Sequence, residues 1–366
     1  MNDNITPYVR YIGADDKDLD LFESQYVVPQ GISYNSYVIT DEKIAVMDTI
    51  DQRKTEEWTA RLEEALEGRT PDYLIVQHME PDHAANIGWF AEKYPEATIV
   101  ASAKAIQMMP QFFEEVNFAG RTQTVKEGDT LCLGQHTLKF IMAPMVHWPE
   151  VMLTYEESEK ILFSADAFGK FGALCHEGEW IDEARRYYFN IVGKYGAQVQ
   201  ALLKKAAGLD IAMICPLHGP VLKENLGYYI GLYDTWSKYE PETEGVVVAY
   251  ASIHGNTAAA ARRMAEILSE KGATEVMLID LCRDDMALAV ESAFRYSKMI
   301  VAASSYDAGV FPPMFEFLHH LQIKNFQKRR VGIIENGSWA PTAGRMMSCM
   351  LSEMKNMEIM EHMVTI

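Results

Sequence analysis

The chain has 366 residues, 48% of them hydrophobic and 23% charged, an ordinary globular composition long enough for two separate cores. Against 33 Lys and Arg stand 52 Asp and Glu, a net charge of -19. That balance excludes nucleic acid and disfavours an anionic membrane surface, while leaving room for a small redox partner steered by charge complementarity. No stretch reaches the length of a transmembrane helix, and "MNDNITPYVRYIGADDKDLD" lacks an apolar signal core, so a cytoplasmic location is expected.

In chain order, "SQYVVPQ", "SYNSYVIT" and "KIAVMDTI" alternate in short runs from about Phe22 to Ile50, separated by Pro29, Gly31 and "TDEK". This rhythm predicts a β-meander. A helix is predicted over "RKTEEWTARLEEALEG", closing at Gly68, and then a strand at "DYLIVQ". Further strands are predicted in "ATIVAS", "TLCLGQHTLKFIMA", "VMLTYEESEKILFSAD" and "IAMICPL". Helical patterns cover Ile87 to Lys93, Lys104 to Phe113, Tyr187 to Ala207 and Lys223 to Tyr239. Strand runs followed by helices point to sheets packed face to face and covered by helices.

"SKYEPETEG" (Ser237 to Gly245) reads as a linker, dividing a first domain, 1–242, from a second, 243–366. Beyond it, strands and amphipathic helices alternate from "VVVAYA" to "TAGRMMSCMLSEM", and "HMVTI" is a candidate fifth strand. That alternation predicts a doubly wound parallel sheet. The five cysteines, Cys132, Cys175, Cys215, Cys282 and Cys349, form no C-x-x-C pair, so neither a zinc ribbon nor a fused rubredoxin-type centre is expected.

Ligands of such a sheet sit beyond the carboxyl ends of its strands, where three loops fall. The first, "SIHGNT", offers Ser252, His254, Gly255, Asn256 and Thr257 to a phosphate at a helix start, although Asn256 and Thr257 equally suit a plain cap. The second offers Ser305, Tyr306, Asp307, Ala308 and Gly309, and the third Ser338, Trp339 and Ala340. Each of these two carries an aromatic among small residues, which suits a flat ring. With no G-x-G-x-x-G, a dinucleotide site is disfavoured. This half resembles flavodoxin, and the resemblance implies FMN.

In the first half, "VQHMEPDHAANIG" places His78, Glu80, Asp82 and His83 directly after an apolar run. His147 in "APMVHWPEVM", Asp166 in "LFSADAFG" and His218 in "CPLHGP" also follow strand-like runs. Seven imidazoles and carboxylates at strand ends read as a metal site, against the plainer reading of polar loops. Glu80 stands between His78 and Asp82, and a carboxylate there makes the donor set harder and more anionic, favouring iron over zinc. Trp148 and the methionines of "IMAPMVHW" are either the wall of a gas pocket or ordinary core packing.

The order H-x-E-x-D-H, then His, Asp and His, is similar to the metallo-β-lactamase fold, an αβ/βα sandwich. Fused to a flavodoxin-like domain, it resembles the flavodiiron proteins (A-type flavoproteins) over nearly the whole chain. The resemblance implies a diiron site: His78, Glu80 and His147 on one iron, Asp82, His83 and His218 on the other, and Asp166 bridging. His83 is a ligand in some members of that family and not in others. It further implies an oxidoreductase that reduces dioxygen to water, nitric oxide to nitrous oxide, or both, through FMN. A separate electron donor, a rubredoxin or reduced coenzyme F420, is implied, as is a head-to-tail homodimer or dimer of dimers. Two departures fall in the flavin loops, Ser304 in place of a common proline and Pro341 in place of an aromatic, leaving Trp339 as the ring-contact candidate. A third is the stop at "HMVTI" without a final helix, which implies exposed apolar surface covered by a partner or by further sequence. Two other readings compete: a dinuclear zinc hydrolase with an accessory flavodoxin domain, and an electron carrier with a vestigial metal domain.

Overall fold

The computed structural model describes residues 4–176 and 178–366. Packing divides the chain into two compact units, Met1–Ala184 with Gln198–Ile230, and Arg185–Ala197 with Gly231–Ile366.

The first unit contains a six-stranded and a five-stranded sheet. In the larger, Val9–Tyr11, Tyr37–Thr40 and Ile44–Met47 run antiparallel, and Tyr73–Val76, Thr98–Ser102 and Thr122–Val125 continue in parallel. In the smaller, Thr130–Cys132, Thr137–Met142, Met152–Glu156 and Ile161–Phe163 are antiparallel, and Met213–Cys215 joins in parallel. Alternate residues of each strand meet in one core: Tyr37, Ile39, Ala45, Met47, Ile75 and Val100 face Leu138, Phe140, Met152, Ile161 and Phe163. That is the period-two pattern of two inner faces. Val38, Val46, Leu74 and Ile99, which point the other way, are buried as well. Helices supply the cover: Thr55–Leu66 buries Trp58 and Leu62, and Ile87–Lys93 buries Ile87 and Phe90. The result is the layered sandwich expected from strand runs followed by helices.

Several local expectations change. "SQYVVPQ" is not part of the meander: Tyr26–Val27 pairs only with Leu21–Phe22, because Pro29 and two turn residues of positive φ, Glu23 and Ser24, allow no longer ladder. The polar strand Thr122–Val125 escapes the apolar-run criterion altogether. Both long strand runs of the smaller sheet are hairpins, each turning at polar residues.

The second unit is a parallel sheet in the order Val276–Asp280, Thr243–Ala251, Tyr296–Tyr306, Arg330–Asn336, Glu358–Ile359. This 2-1-3-4-5 order is that of flavodoxin-like sheets. "HMVTI" does add a strand, Val364–Thr365, in parallel with Ile334 and Glu335. The helical pattern from Tyr187 to Ala207 is interrupted. Trp180–Tyr187 passes into a π turn, Tyr188–Val192, before Gly196–Ala206 resumes. Segments 185–197 and 231–242, read in sequence as part of the first domain, pack with this second sheet. Arg185 explains why: it is buried and hydrogen-bonded to Glu242 and, at 2.9 Å, to Glu291. Phe189 stacks on Phe294 with centroids 4.3 Å apart.

Candidate metal centre and flavin site

Every metal-candidate residue sits just past a strand end. His78 and Glu80 follow Tyr73–Val76, and Pro81 opens the short helix Pro81–Ala84 that carries Asp82 and His83. Proline suits the first helical turn, where its missing N–H has no partner to lose. His147 lies between Thr137–Met142 and Met152–Glu156, Asp166 after Ile161–Phe163, and His218 after Met213–Cys215. Strand ends from both sheets of the sandwich thus converge, and all seven side chains come together.

They form two groups. His78 Nε2, His147 Nε2, Glu80 Oε2 and Asp166 Oδ2 lie 3.0 to 3.4 Å from one another in the pairs His78–Glu80 (3.2 Å), His147–Glu80 (3.0 Å), His78–His147 (3.4 Å), His78–Asp166 (3.3 Å) and His147–Asp166 (3.1 Å). In the second group, His218 Nε2 and His83 Nε2 are 3.2 and 3.3 Å from Asp82 Oδ2 and 3.1 Å from each other. Asp166 turns its Oδ1 to this group, 3.2 Å from His83 Nε2. One carboxylate therefore presents an oxygen to each side.

Such crowding is costly without a cation. Both oxygens of Asp82 and of Asp166 are buried and receive no hydrogen bond. Burying an uncompensated carboxylate costs several kcal/mol, about the scale of a protein's whole net stability. A positive ion in each group removes that cost, and the donor atoms of each group lie within 4.8 Å of one another. Imidazole and carboxylate donors together suit a borderline or hard metal such as iron. The residues fit the metals that the sequence motif implies.

The loops carrying these side chains are pinned from behind by residues that sequence reading passed over. Asp48 takes the N–H groups of Gln77 and His78 at 2.7 and 3.3 Å and the Gln77 side-chain amide at 2.8 Å. Burial pushes its carboxyl up to about 6, against the pull of the Gln77 hydrogen bonds. Glu150 accepts from His78 Nδ1 at 2.8 Å, and the Ser33 carbonyl accepts from His218 Nδ1 at 2.7 Å. The His218 turn is held further by Asn35, whose amide donates to the carbonyls of Pro216 and Gly219. The only prior signal for these residues was nearness to a motif, "VMDTI" after a strand and "HWPE" after His147. Trp148 stands edge-on to His78, 5.4 Å away at 90°, whereas Met142 packs against the sandwich core. A cavity of about 330 Å³, lined by Leu21, Phe22, Glu23 and Tyr34 among others, reaches Glu80 and Asp82.

At the carboxyl edge of the parallel sheet, the three predicted loops surround a second cavity of about 560 Å³. His254, Ser305, Tyr306, Asp307, Ala308, Ser338, Trp339 and Ala340 line it, joined by Ile253, Ser304, Asn336, Gly337 and Thr342. The joining residues lie in the same loops, so the loops were legible and the side of each chain was not. Ser252, Gly255, Asn256, Thr257 and Gly309 do not line it. Thr257 turns inward, its hydroxyl 3.0 Å from that of Ser304, and Ser252 accepts the Gly255 N–H at 3.1 Å. The Ser305 hydroxyl is committed to the N–H groups of Thr342 and Ala343. Gly255, at φ +93°, holds the cap position of helix Asn256–Glu270 with no side-chain hydrogen bond there. Asn256 and Thr257 are therefore the first residues of the helix, next to the cap position that Gly255 holds. Trp339 is 92% exposed at the rim, and its indole offers a free aromatic face.

Comparison with known proteins agrees with both halves. Residues 32–219, just over half of the chain, match the family described as ODP family beta lactamase. The anaerobic nitric oxide reductase flavorubredoxin of Aliivibrio fischeri is 29% identical over 353 residues, covering 93% of this chain and 70% of that protein. The rubredoxin oxygen:oxidoreductase of Desulfovibrio gigas superposes with a TM-score of 0.90 at 26% identity, over 97% of this chain and 90% of its own. The flavodiiron protein of Giardia intestinalis shares the fold at a TM-score of 0.90 and 24% identity, over 98% of this chain and 91% of its own. With a β-lactamase-like sandwich and a flavodoxin-like sheet after it, the chain belongs to the ODP β-lactamase family and, within it, to the flavodiiron proteins.

Proposed function

We propose that this chain is an oxidoreductase that reduces dioxygen to water, nitric oxide to nitrous oxide, or both, drawing electrons from an external donor through FMN to a pair of irons. The observation that carries the reading is the pair of donor groups straddled by Asp166, with Glu80 in the first of them. In it, His78, Glu80 and His147 would hold one iron, Asp82, His83 and His218 the other, and Asp166 would serve both groups. The cavity-lining residues of the second unit would hold the flavin, and the start of helix Asn256–Glu270, next in the chain to His254, would take its phosphate.

When bound, the irons and the flavin supply the electrons and the Lewis acidity of the reaction. The chain's own residues do the rest. Asp48, Glu150 and the Ser33 carbonyl keep the imidazoles aimed, so the donor atoms need no rearrangement to bind the metals. Trp148 closes one side of the cluster with an apolar edge, while the cavity beside Glu80 is wide enough for a diatomic gas and for the protons that both reductions consume. A shared carboxylate lowers the repulsion between neighbouring cations. The donor remains a choice between a rubredoxin and reduced coenzyme F420. The functional unit we assign is a head-to-tail homodimer, or a dimer of such dimers. Among the described residues, no helix is long and apolar enough to cross a membrane.

The test is the metal and flavin content of anaerobically purified protein, followed by gas uptake with chemically reduced flavin. About two irons and one FMN per chain, as the donor groups and cavity require, together with consumption of O₂ or NO, support the proposal. Zinc that persists through iron reconstitution, with no gas uptake, would overturn it in favour of the hydrolase.

A further inference from the structure

The second of the three loops at the carboxyl edge of the parallel sheet is a tight hairpin. Ser305 pairs with Val310 and Tyr306 with Gly309, across a turn in which Asp307 and Ala308 both take positive φ, 45° and 58°. Ser304 and Ser305, at its base, are half-buried and line the cavity of about 560 Å³. A hydroxyl in such a place can ordinarily turn to suit its ligand, giving or accepting a hydrogen bond. Neither of these two is free to do so.

Ser305 Oγ takes the N–H of Thr342 at 2.8 Å and that of Ala343 at 3.1 Å. It thereby caps helix Ala343–Ser352 from another loop. Thr342, at the cap position, makes no side-chain cap bond, and gives its hydroxyl to the Gly309 carbonyl at 2.9 Å. Two backbone donors fill both lone pairs of the Ser305 oxygen. Among the described residues nothing accepts the Ser305 proton, which is left for the cavity. Ser304 Oγ lies 3.0 Å from Thr257 Oγ1, which also takes the Asn336 side-chain amide at 3.3 Å. Thr257 is 1% exposed, so its proton, if not given to Ser304, would be buried with no acceptor, which folded chains avoid. Thr257 therefore donates, Ser304 accepts, and the Ser304 proton is left for the cavity as well.

We propose that Ser304 and Ser305 are one-way donors: each gives its proton to a hydrogen-bond acceptor of the bound flavin, and neither can turn to accept from it. This rests on the flavin reading above. A flavin has acceptors along its whole length, as ring carbonyls and unprotonated ring nitrogens, ribityl oxygens and phosphate oxygens. Because Thr257, Asn336 and the start of helix Ala343–Ser352 fix both hydroxyls in advance, neither has to be ordered when the ligand arrives.

The experiment uses the full chain, stripped of flavin and titrated with FMN, alongside thermal melts of the same flavin-free proteins. Threonine and aspartate can both cap a helix start, but only threonine keeps the proton, and alanine loses cap and proton together. Ser305→Thr is expected to bind FMN within about threefold of the wild type, Ser305→Ala about 10-fold more weakly, and Ser305→Asp more weakly still. The flavin-free melts should instead rank Ser305→Asp with the wild type and Ser305→Ala below both. Ser304→Ala is expected to lose about 10-fold in FMN affinity. Where affinity is lost, a shifted midpoint potential of the bound FMN places the acceptor on the ring, and an unchanged potential places it on the ribityl chain or the phosphate. Either result supports the proposal. FMN affinities that follow the order of the melts, with Ser305→Asp equal to the wild type, show a helix cap only and overturn it. So does unchanged affinity in Ser304→Ala. A wild-type chain that binds no FMN refutes the flavin reading instead, and the two failures are distinguishable.

Discussion

Asp166 carries more of the proposed chemistry than any other residue, because its two oxygens serve two groups and neither receives a hydrogen bond. Asp166→Ala is expected to lower iron retention in both groups and to abolish gas reduction, while the flavin absorbance stays at the wild-type level. Iron analysis and the visible spectrum of one preparation check this, and retained turnover would refute the bridging role. Gly219 tests how tightly the His218 turn is built. It sits at φ +81°, and a Cβ there would lie 2.7 Å from Lys170 Cγ. Gly219→Ala is expected to cost about 1–2 kcal/mol for the left-handed backbone, plus the overlap. Gly120→Ala, at φ +74° in open space, should show the backbone cost alone. Thermal melts of the two variants separate the contributions. Such backing was not legible in the sequence. Glu150 reaches His78 across 72 residues, and the Ser33 carbonyl reaches His218 across 185. No local pattern encodes a hydrogen bond formed between loops so far apart.

Among the elements, the segment from Trp180 to Ala206 shows how packing overrides periodicity. The apolar spacing from Tyr187 to Ala207 reads as one helix, yet the chain passes through a π turn where Tyr188, Phe189 and Asn190 are all buried. The Asn190 side chain donates to the Arg186 and Ala287 carbonyls, at 2.8 and 3.1 Å, so the turn is stabilised by tertiary contact. Arg185 makes the same point with charge. It is buried between Glu242 and Glu291, and Trp236 also donates to Glu242 at 2.7 Å. Arg185→Ala leaves the buried Glu291 and the partly buried Glu242 without the guanidinium between them, and is expected to destabilise the flavin-bearing unit by roughly 3 kcal/mol. Urea unfolding followed by flavin release measures this. An effect below about 1 kcal/mol, typical of exposed pairs, would show that water replaces the arginine.

At the scale of the whole molecule, the two cores imply two partly independent stabilities. An ion that binds only the folded state adds stability in proportion to the logarithm of its concentration over its dissociation constant, about 2.7 kcal/mol at a hundredfold excess. Removing metal with a chelator is therefore expected to lower one calorimetric transition, that of the sandwich, and to leave flavin loss at its original temperature. A single transition that shifts as a whole would mean that the units unfold together.

The seven imidazoles and carboxylates that cluster, and the three loops around the second cavity, were readable from the sequence as candidates, because each is a local pattern: an apolar run, then a polar or glycine-rich turn. Domain order and family followed from those patterns in their chain order. The polar strand Thr122–Val125 was invisible, since its pairing with Thr98–Ser102 rather than its composition makes it a strand. Which loop residues face the cavity of the second unit, and that Thr257 does not line it, depended on contacts such as those of Thr257 with Ser304 and Asn336 from other loops. The sequence by itself determined the kinds of groups present and the turn at which each occurs. Only the tertiary structure decided which oxygens and nitrogens meet within about 3 Å, because that distance is set by two sheets packing face to face and not by any residue's neighbours in the chain.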